Sequence, residues 1–280
     1  MSLDIEKWLR SPKIDVHCHV WNIGNEADEA TSAKQLIKAG EMLGITEYWC
    51  SSPITGGRIA PIEEVRAEND AVLRAMKMFP DHIRGMCYVI PGQYQEALDE
   101  VNRCLDAGMI GVKIYNQYRV SDPAVFPLIE LSIDRKIPIL EHAGFLEAPE
   151  HLSGQPLISN GSHFALANRE YPEAVLIHAH IGGGGDWEQT IRWMRDTSPN
   201  LVCDVSGSNL DDGQIELAVS EMGADRILFG TDGTMTGSVG KVIDATLTYE
   251  EKELIFWGNA ERILAAQGAK PTRPREGVAA

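Results

Sequence analysis

Hydrophobic and polar positions alternate in a regular way along this chain. Short apolar runs rich in Val, Ile, Leu and Tyr are separated by longer stretches whose apolar residues recur with the period of a helix. The runs predict eight strands, most of them spaced by roughly 25 to 40 residues, as repeated βα units would be. The predicted strands are Ile14–His17, Ile45–Cys50, Arg84–Ile90, Ile110–Tyr115, Ile137–His142, Val175–His180, Leu201–Val205 and Arg226–Gly230.

The stretches between the runs predict amphipathic helices. Gln93–Ala107 places its apolar residues on one stripe and stops before Gly108, a residue type that commonly ends helices. Asp122 and Pro123 predict the start of the next helix, with Asp as the N-cap and Pro at the first helical position. The last helix is predicted over Thr248–Gln267.

Eight such units predict an α/β fold of the (β/α)8 TIM barrel type in a single domain. Strands that are apolar on both faces are typical of parallel sheets, and eight units favour a closed barrel over a doubly wound sheet. The 280 residues, 44% of them hydrophobic, can bury one large core. We predict a short N-terminal segment over 1–12, the barrel over 13–268 and a disordered tail over 269–280.

The composition limits the classes of partner and the cellular compartments that we expect for this protein. A net charge of −16 without any basic cluster argues against nucleic acid and anionic membranes. No stretch approaches the roughly 20 apolar residues of a membrane helix, and the charged N-terminus is unlike a signal peptide. The five cysteines have no paired spacing, which indicates free thiols in a reducing compartment. We therefore expect a cytoplasmic protein that acts on a small molecule.

Polar side chains collect at the predicted strand ends, which is where barrel enzymes place their active sites. Five of the eight histidines lie within a residue or two of a strand end. His17 and His19 are two residues apart on extended backbone, so both imidazoles face the same side and can share one metal ion. Several His and an Asp around one open position are the usual donors of a catalytic zinc site.

The ordered set of motifs resembles the amidohydrolase superfamily. The closest similarity is to the amidohydrolase-related branch that includes aminocarboxymuconate-semialdehyde decarboxylase, resorcylate-type decarboxylases and small-lactone or ester hydrolases. The resemblance runs from about residue 13 to residue 266 and rests on the order of the motifs more than on any one of them. The motifs are DVHCHVW, GVKIYNQYRVSDP, IPILEHAG, LIHAHIGGGG, LFGTDG and WGNAERIL.

This resemblance implies a set of site residues. His17, His19, His142 and Asp232 match the family's ligands to a divalent metal ion, for which zinc is our first expectation and manganese the second. Asp232 also matches the carboxylate that takes a proton from the metal's water. His180 matches the histidine that polarises the substrate or acts as acid or base.

Three further residues are left with two interpretations each. Lys113 matches either a carbamylated lysine that bridges two metals or a lysine that is paired or faces the substrate, and we favour the second with one metal. Asp15 stands where several decarboxylases of the branch carry Glu and where the semialdehyde decarboxylase pattern has Asp, and it either ligates the metal or orients a histidine. His178, expected on the same face as His180, either orients a ligand or is an ordinary interior histidine.

The loop after strand 4 would overhang the metal. There we predict substrate contacts from Tyr115, Asn116 and Arg119, together with Lys113; Arg119 pairs with a substrate carboxylate or with a surface acid. Ser206 and Ser208 either line the pocket or form a turn, and Gly182–Gly185 either cradles an anion or allows close backbone approach.

These features predict a metal-dependent hydrolase that cleaves an ester, lactone or amide bond of a small substrate, with or without a carboxylate. The alternative is a metal-dependent, non-oxidative decarboxylase of an aromatic or enoic acid, with the same site. A metal-stabilised binding protein without activity fits the intact set of donors poorly. Homo-oligomers are common in the family that the chain resembles, and we keep that expectation.

Overall fold

The structure, a computed structural model, describes residues 4–20, 29–144, 155–181, 187–207 and 209–272. Eight parallel strands follow one another around a single sheet in sequence order. Two backbone hydrogen bonds, from Val16 N to Phe229 O (3.0 Å) and from Asp232 N to His17 O (2.8 Å), join the first strand to the chain that follows the last. The predicted single-domain (β/α)8 barrel is confirmed. Its strands are β1 Lys13–His19, β2 Ile45–Ser51, β3 Ile83–Tyr88, β4 Gly111–Ile114, β5 Ile139–Glu141, β6 Leu176–His178, β7 Leu201–Asp204 and β8 Ile227–Leu228.

Helices alternate with these strands and form the outer layer. Two short 3-10 helices precede α4 and β8, and a π-helical turn at Leu254–Gly258 joins the last two helices. The α-helices of the described chain are α1 Ile5–Arg10, α2 Glu29–Glu41, α3 Ile62–Met78, α4 Gln95–Asp106, α5 Phe126–Arg135, α6 Gly161–Glu170, α7 Trp187–Arg195, α8 Gln214–Met222, α9 Met235–Asp244, α10 Tyr249–Glu253 and α11 Asn259–Ala266.

The predicted start of the fifth helix is wrong. The side chain of Asp122 accepts a hydrogen bond from Ala124 N (2.9 Å), and the Asp122 carbonyl accepts one from Val125 N (2.8 Å). These bonds make a local turn, and α5 begins only at Phe126. An Asp that bonds the backbone two residues on forms a turn as readily as a helix cap, so the sequence signal was ambiguous.

The core lies between the strands and the helices. Its largest fully buried side chains include Tyr48, Trp49 and Phe229. At the start of the chain, Trp8 of α1 packs its ring 4.6 Å from that of Tyr249 and 5.5 Å from that of Phe256, so α1 is attached to the barrel. No described helix combines the length and the apolar character that crossing a membrane requires.

The segment predicted to be a disordered tail is described up to Thr272, and there it contacts the barrel. Ala269 packs against the core, and Arg84 donates to the carbonyl of Lys270. Thr272 N donates to Glu47 Oε2 at 2.5 Å. The first residues of the predicted tail therefore differ from that prediction, and 273–280 lie outside the described residues.

A buried polar cluster between β3 and α4 also contains potential metal ligands. Cys87, Glu100 and Cys104 place one donor atom each within 4.8 Å of the others. The carboxylate of Glu100 already accepts from Arg103 Nε (2.8 Å) and Asn69 Nδ2 (2.8 Å). Because a guanidinium neutralises the only carboxylate of the group, we assign this cluster a structural role.

The buried ammonium of Lys13 predicts a specific pH dependence of stability. Its Nζ donates to the carbonyls of Trp8 (2.5 Å) and Ser11 (2.8 Å), and burial lowers the pKa of Lys13 to about 7. The unfolded chain, with a lysine pKa near 10.5, binds more protons between these two values, so folding becomes more favourable as pH rises through this window.

We expect the free energy of unfolding of the wild type, minus that of Lys13→Met, to increase from pH 7 to pH 10. Urea unfolding of both proteins at several pH values measures this difference. The contributions of the other titrating groups cancel in it, because both proteins contain those groups. A difference that stays flat or falls with pH would show that the folded state keeps Lys13 charged.

Candidate active site

Three of the predicted metal ligands meet at the C-terminal end of the barrel. Nε2 of His19 lies 2.9 Å from Asp232 Oδ1, and Nε2 of His17 lies 3.9 Å from the same oxygen. The three donor atoms are all within 4.8 Å of one another. Nδ1 of His19 donates to the carbonyl of Ser51 (3.3 Å), which leaves its Nε2 directed at the cluster.

Asp204, at the end of β7, was missed in the sequence analysis. Its Oδ2 accepts from His17 Nδ1 at 3.0 Å, and its Oδ1 accepts from the backbone N–H groups of His180 (3.1 Å) and Ser206 (2.8 Å) and from the hydroxyl of Ser206. Although burial raises its pKa, the contact with His17 holds the pKa of Asp204 well below its usual value. The signal was present in the sequence, as a single acid within the otherwise apolar run Leu201–Val205.

His180 lies on the other side of Asp232. Its Nδ1 is 2.7 Å from Ser206 Oγ, while its Nε2 is 3.7 Å from Asp232 Oδ2 and 3.2 Å from His142 Nδ1. Because the Ser206 hydroxyl donates to Asp204, His180 Nδ1 donates to Ser206 and its Nε2 keeps a lone pair. Of the two serines predicted near the pocket, Ser206 is therefore in the site; Ser208 and the run Gly182–Gly185 lie outside the described residues.

The backbone is strained at two of these positions. His180 has a φ of 59° and Asp232 a φ of 46°, and these are two of the four non-glycine residues with positive φ in the described chain. Such conformations cost of order 1–3 kcal/mol each and persist where surrounding contacts enforce them. Asp204 holds the backbone N–H of His180, and the His17 carbonyl holds that of Asp232, so the network that orients the side chains also fixes the strained backbone.

His142 is close to this cluster but is not one of its members. No group of three mutually close donors in the described chain includes it. Its Nε2 lies 2.8 Å from Gln155 Oε1, its Nδ1 faces His180, and its ring stacks on Tyr115 with centroids 4.3 Å apart. Either nitrogen would have to give up a contact to bind an ion, and the ligand role of His142 stays a prediction.

The predicted substrate residues of the loop after β4 have different positions. The Asn116 amide donates to Gln155 Oε1 (2.9 Å), so Gln155 connects Asn116 to His142. Arg119 is exposed, and its guanidinium contacts the carbonyl of Pro156 (3.4 Å). Burial raises the pKa of Tyr115 to about 12. Gln155 was missed in the sequence analysis, because no motif marks it within its loop.

Lys113 lies inside the cluster. It is fully buried, and its Nζ is 2.9 Å from Nε2 of His17. Burial lowers the pKa of Lys113 to about 8, against the opposing attraction of Asp232, Asp204 and Glu141. The predicted interpretation as a paired lysine agrees with this contact, and whether Lys113 touches a substrate stays a prediction.

Asp15 and His178 take up positions outside the cluster. The carboxylate of Asp15 accepts from Thr231 N (2.9 Å), the Thr231 hydroxyl (2.6 Å) and His17 N (3.1 Å), so it joins β1 to the end of β8. His178 was expected on the same face as His180, but the positive φ of His180 interrupts the strand alternation. The ring of His178 instead packs 4.7 Å from that of Phe164 in α6.

The donors suit a divalent cation. Burial lowers the pKa of His19 to about 4 and that of His180 to about 3, so both imidazoles are neutral near pH 7 and keep a lone pair. Although burial raises it, the neighbouring His17 and His19 hold the pKa of Asp232 well below its usual value. The imidazoles of His17 and His19 and the carboxylate of Asp232 are donors of the kind that bind zinc and related ions.

A polar, strained site at the C-terminal end of a (β/α)8 barrel is the arrangement of a barrel enzyme. The sequence matches the model of the amidohydrolase family over residues 14–265, so the chain belongs to this family and is an enzyme of the amidohydrolase superfamily. No curated protein matches the sequence.

Solved structures with the same fold include two decarboxylases and a hydratase. 2,6-Dihydroxybenzoate decarboxylase from Rhizobium is 17% identical, with a TM-score of 0.69 over 90% of this chain and 98% of that chain. A dihydroxybenzoic acid decarboxylase from Polaromonas, with bound manganese and 2-nitroresorcinol, is 16% identical, with a TM-score of 0.68 over 90% and 96%. 4-Oxalomesaconate hydratase from Rhodopseudomonas palustris is 16% identical, with a TM-score of 0.66 over 91% and 96%. At these identities the similarity shows the fold alone.

The contacts of Asp204 predict its effect on metal binding. In Asp204→Asn the side chain no longer fixes the proton of His17 on Nδ1, so we expect the affinity for Zn²⁺ to fall about 10- to 100-fold. Competition with a chromophoric chelator measures this affinity, and thermal unfolding checks that the variant folds. Asp212→Asn, on an exposed aspartate, is the control and should bind like the wild type. An unchanged affinity in Asp204→Asn would contradict the assigned role.

Proposed function

We propose that this enzyme hydrolyses an ester, lactone or amide bond of a small substrate, with one divalent ion held by His17, His19 and Asp232. Zinc is the first candidate for the ion and manganese the second. The observation that carries the proposal is the position of Asp232. One of its oxygens lies among the ligand nitrogens of His17 and His19, and the other lies 3.7 Å from the buried imidazole of His180.

The ion would supply the part of the chemistry that side chains cannot. A bound divalent cation lowers the pKa of water to about 7 and polarises a carbonyl oxygen. The two histidines and Asp232 would hold it, with His142 as the predicted fourth ligand. Asp204 and Ser51 orient the two imidazoles through their Nδ1 atoms, as outer-shell partners of metal ligands commonly do.

The side chains around Asp232 can receive and return the proton that hydrolysis requires. Asp232 Oδ2 would accept a proton from the attacking water, as a general base. The lone pair of His180 Nε2 is the next acceptor along this path, and from there the proton can go to the leaving group. Ser206 and Asp204 hold the ring and backbone of His180, so its Nε2 stays directed at Asp232.

The substrate would approach over the loop that follows β4. The ring of Tyr115 stacks on His142, and Gln155 connects the amide of Asn116 to the same imidazole. A substrate carboxylate would find its positive partner in Arg119, whose exposed guanidinium is held only by the Pro156 carbonyl among its described contacts. The proposed substrate is therefore small and carries a carboxylate.

Decarboxylation of an aromatic or enoic acid is the second candidate. The similar folds of two dihydroxybenzoate decarboxylases support it. Asp15 lies at the place where several decarboxylases of this branch carry a Glu and where the semialdehyde decarboxylase pattern has an Asp. Its three hydrogen bonds to Thr231 and His17 engage both carboxylate oxygens, so it is not available as a further ligand.

Metal content tests the proposed site directly. We expect purified wild type to bind about one equivalent of Zn²⁺ or Mn²⁺, and Asp232→Asn and His19→Asn to lose most of this binding. Elemental analysis after dialysis measures it. His163→Gln is the control, because glutamine can keep the capping contact that His163 makes in α6. Wild type that binds neither ion would overturn the proposal.

A substrate screen separates the two reactions. We expect carboxylated lactones and esters to be hydrolysed, with proton release and no CO2, while hydroxybenzoates and enoic acids are left unchanged. A pH indicator follows the first reaction and CO2 release the second. Loss of hydrolysis in Asp232→Asn, with normal turnover in Asp134→Asn on an exposed residue of α5, would assign the activity to this site. Release of CO2 without hydrolysis would favour the second candidate instead.

A further inference from the structure

Lys113 and the proposed metal ion compete for the same atom. Lys113 stands on β4 with no exposed surface, and its Nζ is 2.9 Å from His17 Nε2. A buried ammonium in direct contact with a metal ligand is unexpected, because it brings a positive charge to the place where a cation should bind.

The position of the proton on His17 identifies the atom for which Lys113 and the ion would compete. Nδ1 of His17 contacts a carboxylate oxygen of Asp204 at 3.0 Å, and a carboxylate can only accept, so Nδ1 carries the proton. The ammonium of Lys113 can only donate, so at this contact Nε2 of His17 accepts with its lone pair. A divalent ion would need that same lone pair, so His17 cannot serve both at once.

The charges around Lys113 explain why the ammonium is there. Asp232, Asp204 and Glu141 are all close enough to attract it. Asp204 is fully buried, so its negative charge is weakly screened and a nearby cation stabilises it. A divalent ion would offer the same compensation with twice the charge.

We propose that Lys113 is an internal competitor of the metal ion: its ammonium occupies His17 Nε2 while the site is empty and withdraws when the ion binds. Lys113 thereby sets how tightly the enzyme holds its metal. It is a positioning residue and not a ligand. This inference rests on the proposed function, because it requires the ion at His17.

Two other roles for Lys113 predict the opposite effect of removing it. As a direct ligand, or as a carbamate that bridges two metals, Lys113 would strengthen metal binding. Its removal would then weaken the affinity. As a competitor it weakens binding, and its removal tightens it. The sign of the change in affinity therefore discriminates between these roles.

The experiment measures Zn²⁺ affinity of metal-free wild type, Lys113→Met and Lys113→Gln by competition with a chromophoric chelator. Both variants lack the charge, and Gln also keeps an N–H that can reach His17. Each substitution removes a positive charge that would repel the divalent ion. At an effective dielectric constant of about 20, we therefore expect Zn²⁺ to bind at least about tenfold more tightly to each variant. Circular dichroism and thermal unfolding establish that each variant folds, and either folded variant suffices for the test.

Lys252→Met is the matched control. Lys252 is another mostly buried lysine, and its ammonium donates to the carbonyl of Ile243 at 2.5 Å. Its removal should leave Zn²⁺ affinity unchanged. Native mass spectrometry of the wild type in bicarbonate buffer gives a second readout, and an unmodified mass is expected.

Unchanged or weaker Zn²⁺ binding in the Lys113 variants would overturn the inference, as would a mass increase of one CO2 on Lys113. If wild type binds Zn²⁺ and the variants bind no tighter, only the inference fails. If neither wild type nor variants bind Zn²⁺ or Mn²⁺, the proposed function fails as well.

Discussion

The contact between Asp204 and His17 is the interaction on which the site depends. Asp204 lies at the end of β7, and its two oxygens bond groups from β1, from the end of β6 and from its own following loop. One buried carboxylate thus sets the tautomer of His17, holds the backbone of His180 and fixes the hydroxyl that orients the His180 ring. Because the carboxylate is fully buried, these contacts together must offset the free energy of its desolvation. The geometry of each contact therefore depends on that of the others.

The folding free energy of the barrel offsets the cost of this arrangement. Its strands bury an apolar core, and that large favourable free energy tolerates a few strained residues at the rim. His180 and Asp232 both have left-handed backbone conformations at the ends of β6 and β8, and both are held by hydrogen bonds from neighbouring strands. Strain at these two positions turns their side chains toward each other across the barrel mouth, which regular extended strands would not do.

The three imidazoles differ in the partners of their two ring nitrogens. His17 and His19 each use Nδ1 for a fixed partner and direct Nε2 at Asp232, while His180 directs its Nε2 at the other oxygen of Asp232. In the proposed function, Asp232 belongs both to the cation site and to the proton path. Lys113 brings its ammonium to the same site, so in our proposal the occupancy of the site is a balance between an internal cation and an external one.

The sequence by itself determined the fold and the elements that supply the site. Continuous apolar runs and period-3.6 apolar patterns are local, so they identified all eight strands and the helices between them. The polar residues at the strand ends then followed from the barrel rule. Only the tertiary structure decided which of those residues touch. Asp204 bonds His17 across 187 positions of sequence and Lys113 reaches it across 96, and His178 turns away because the backbone leaves the extended region at His180. The spacing of two residues in the sequence determines whether their side chains lie on the same face only while the strand continues. Contacts between residues of distant strands depend on how the barrel closes.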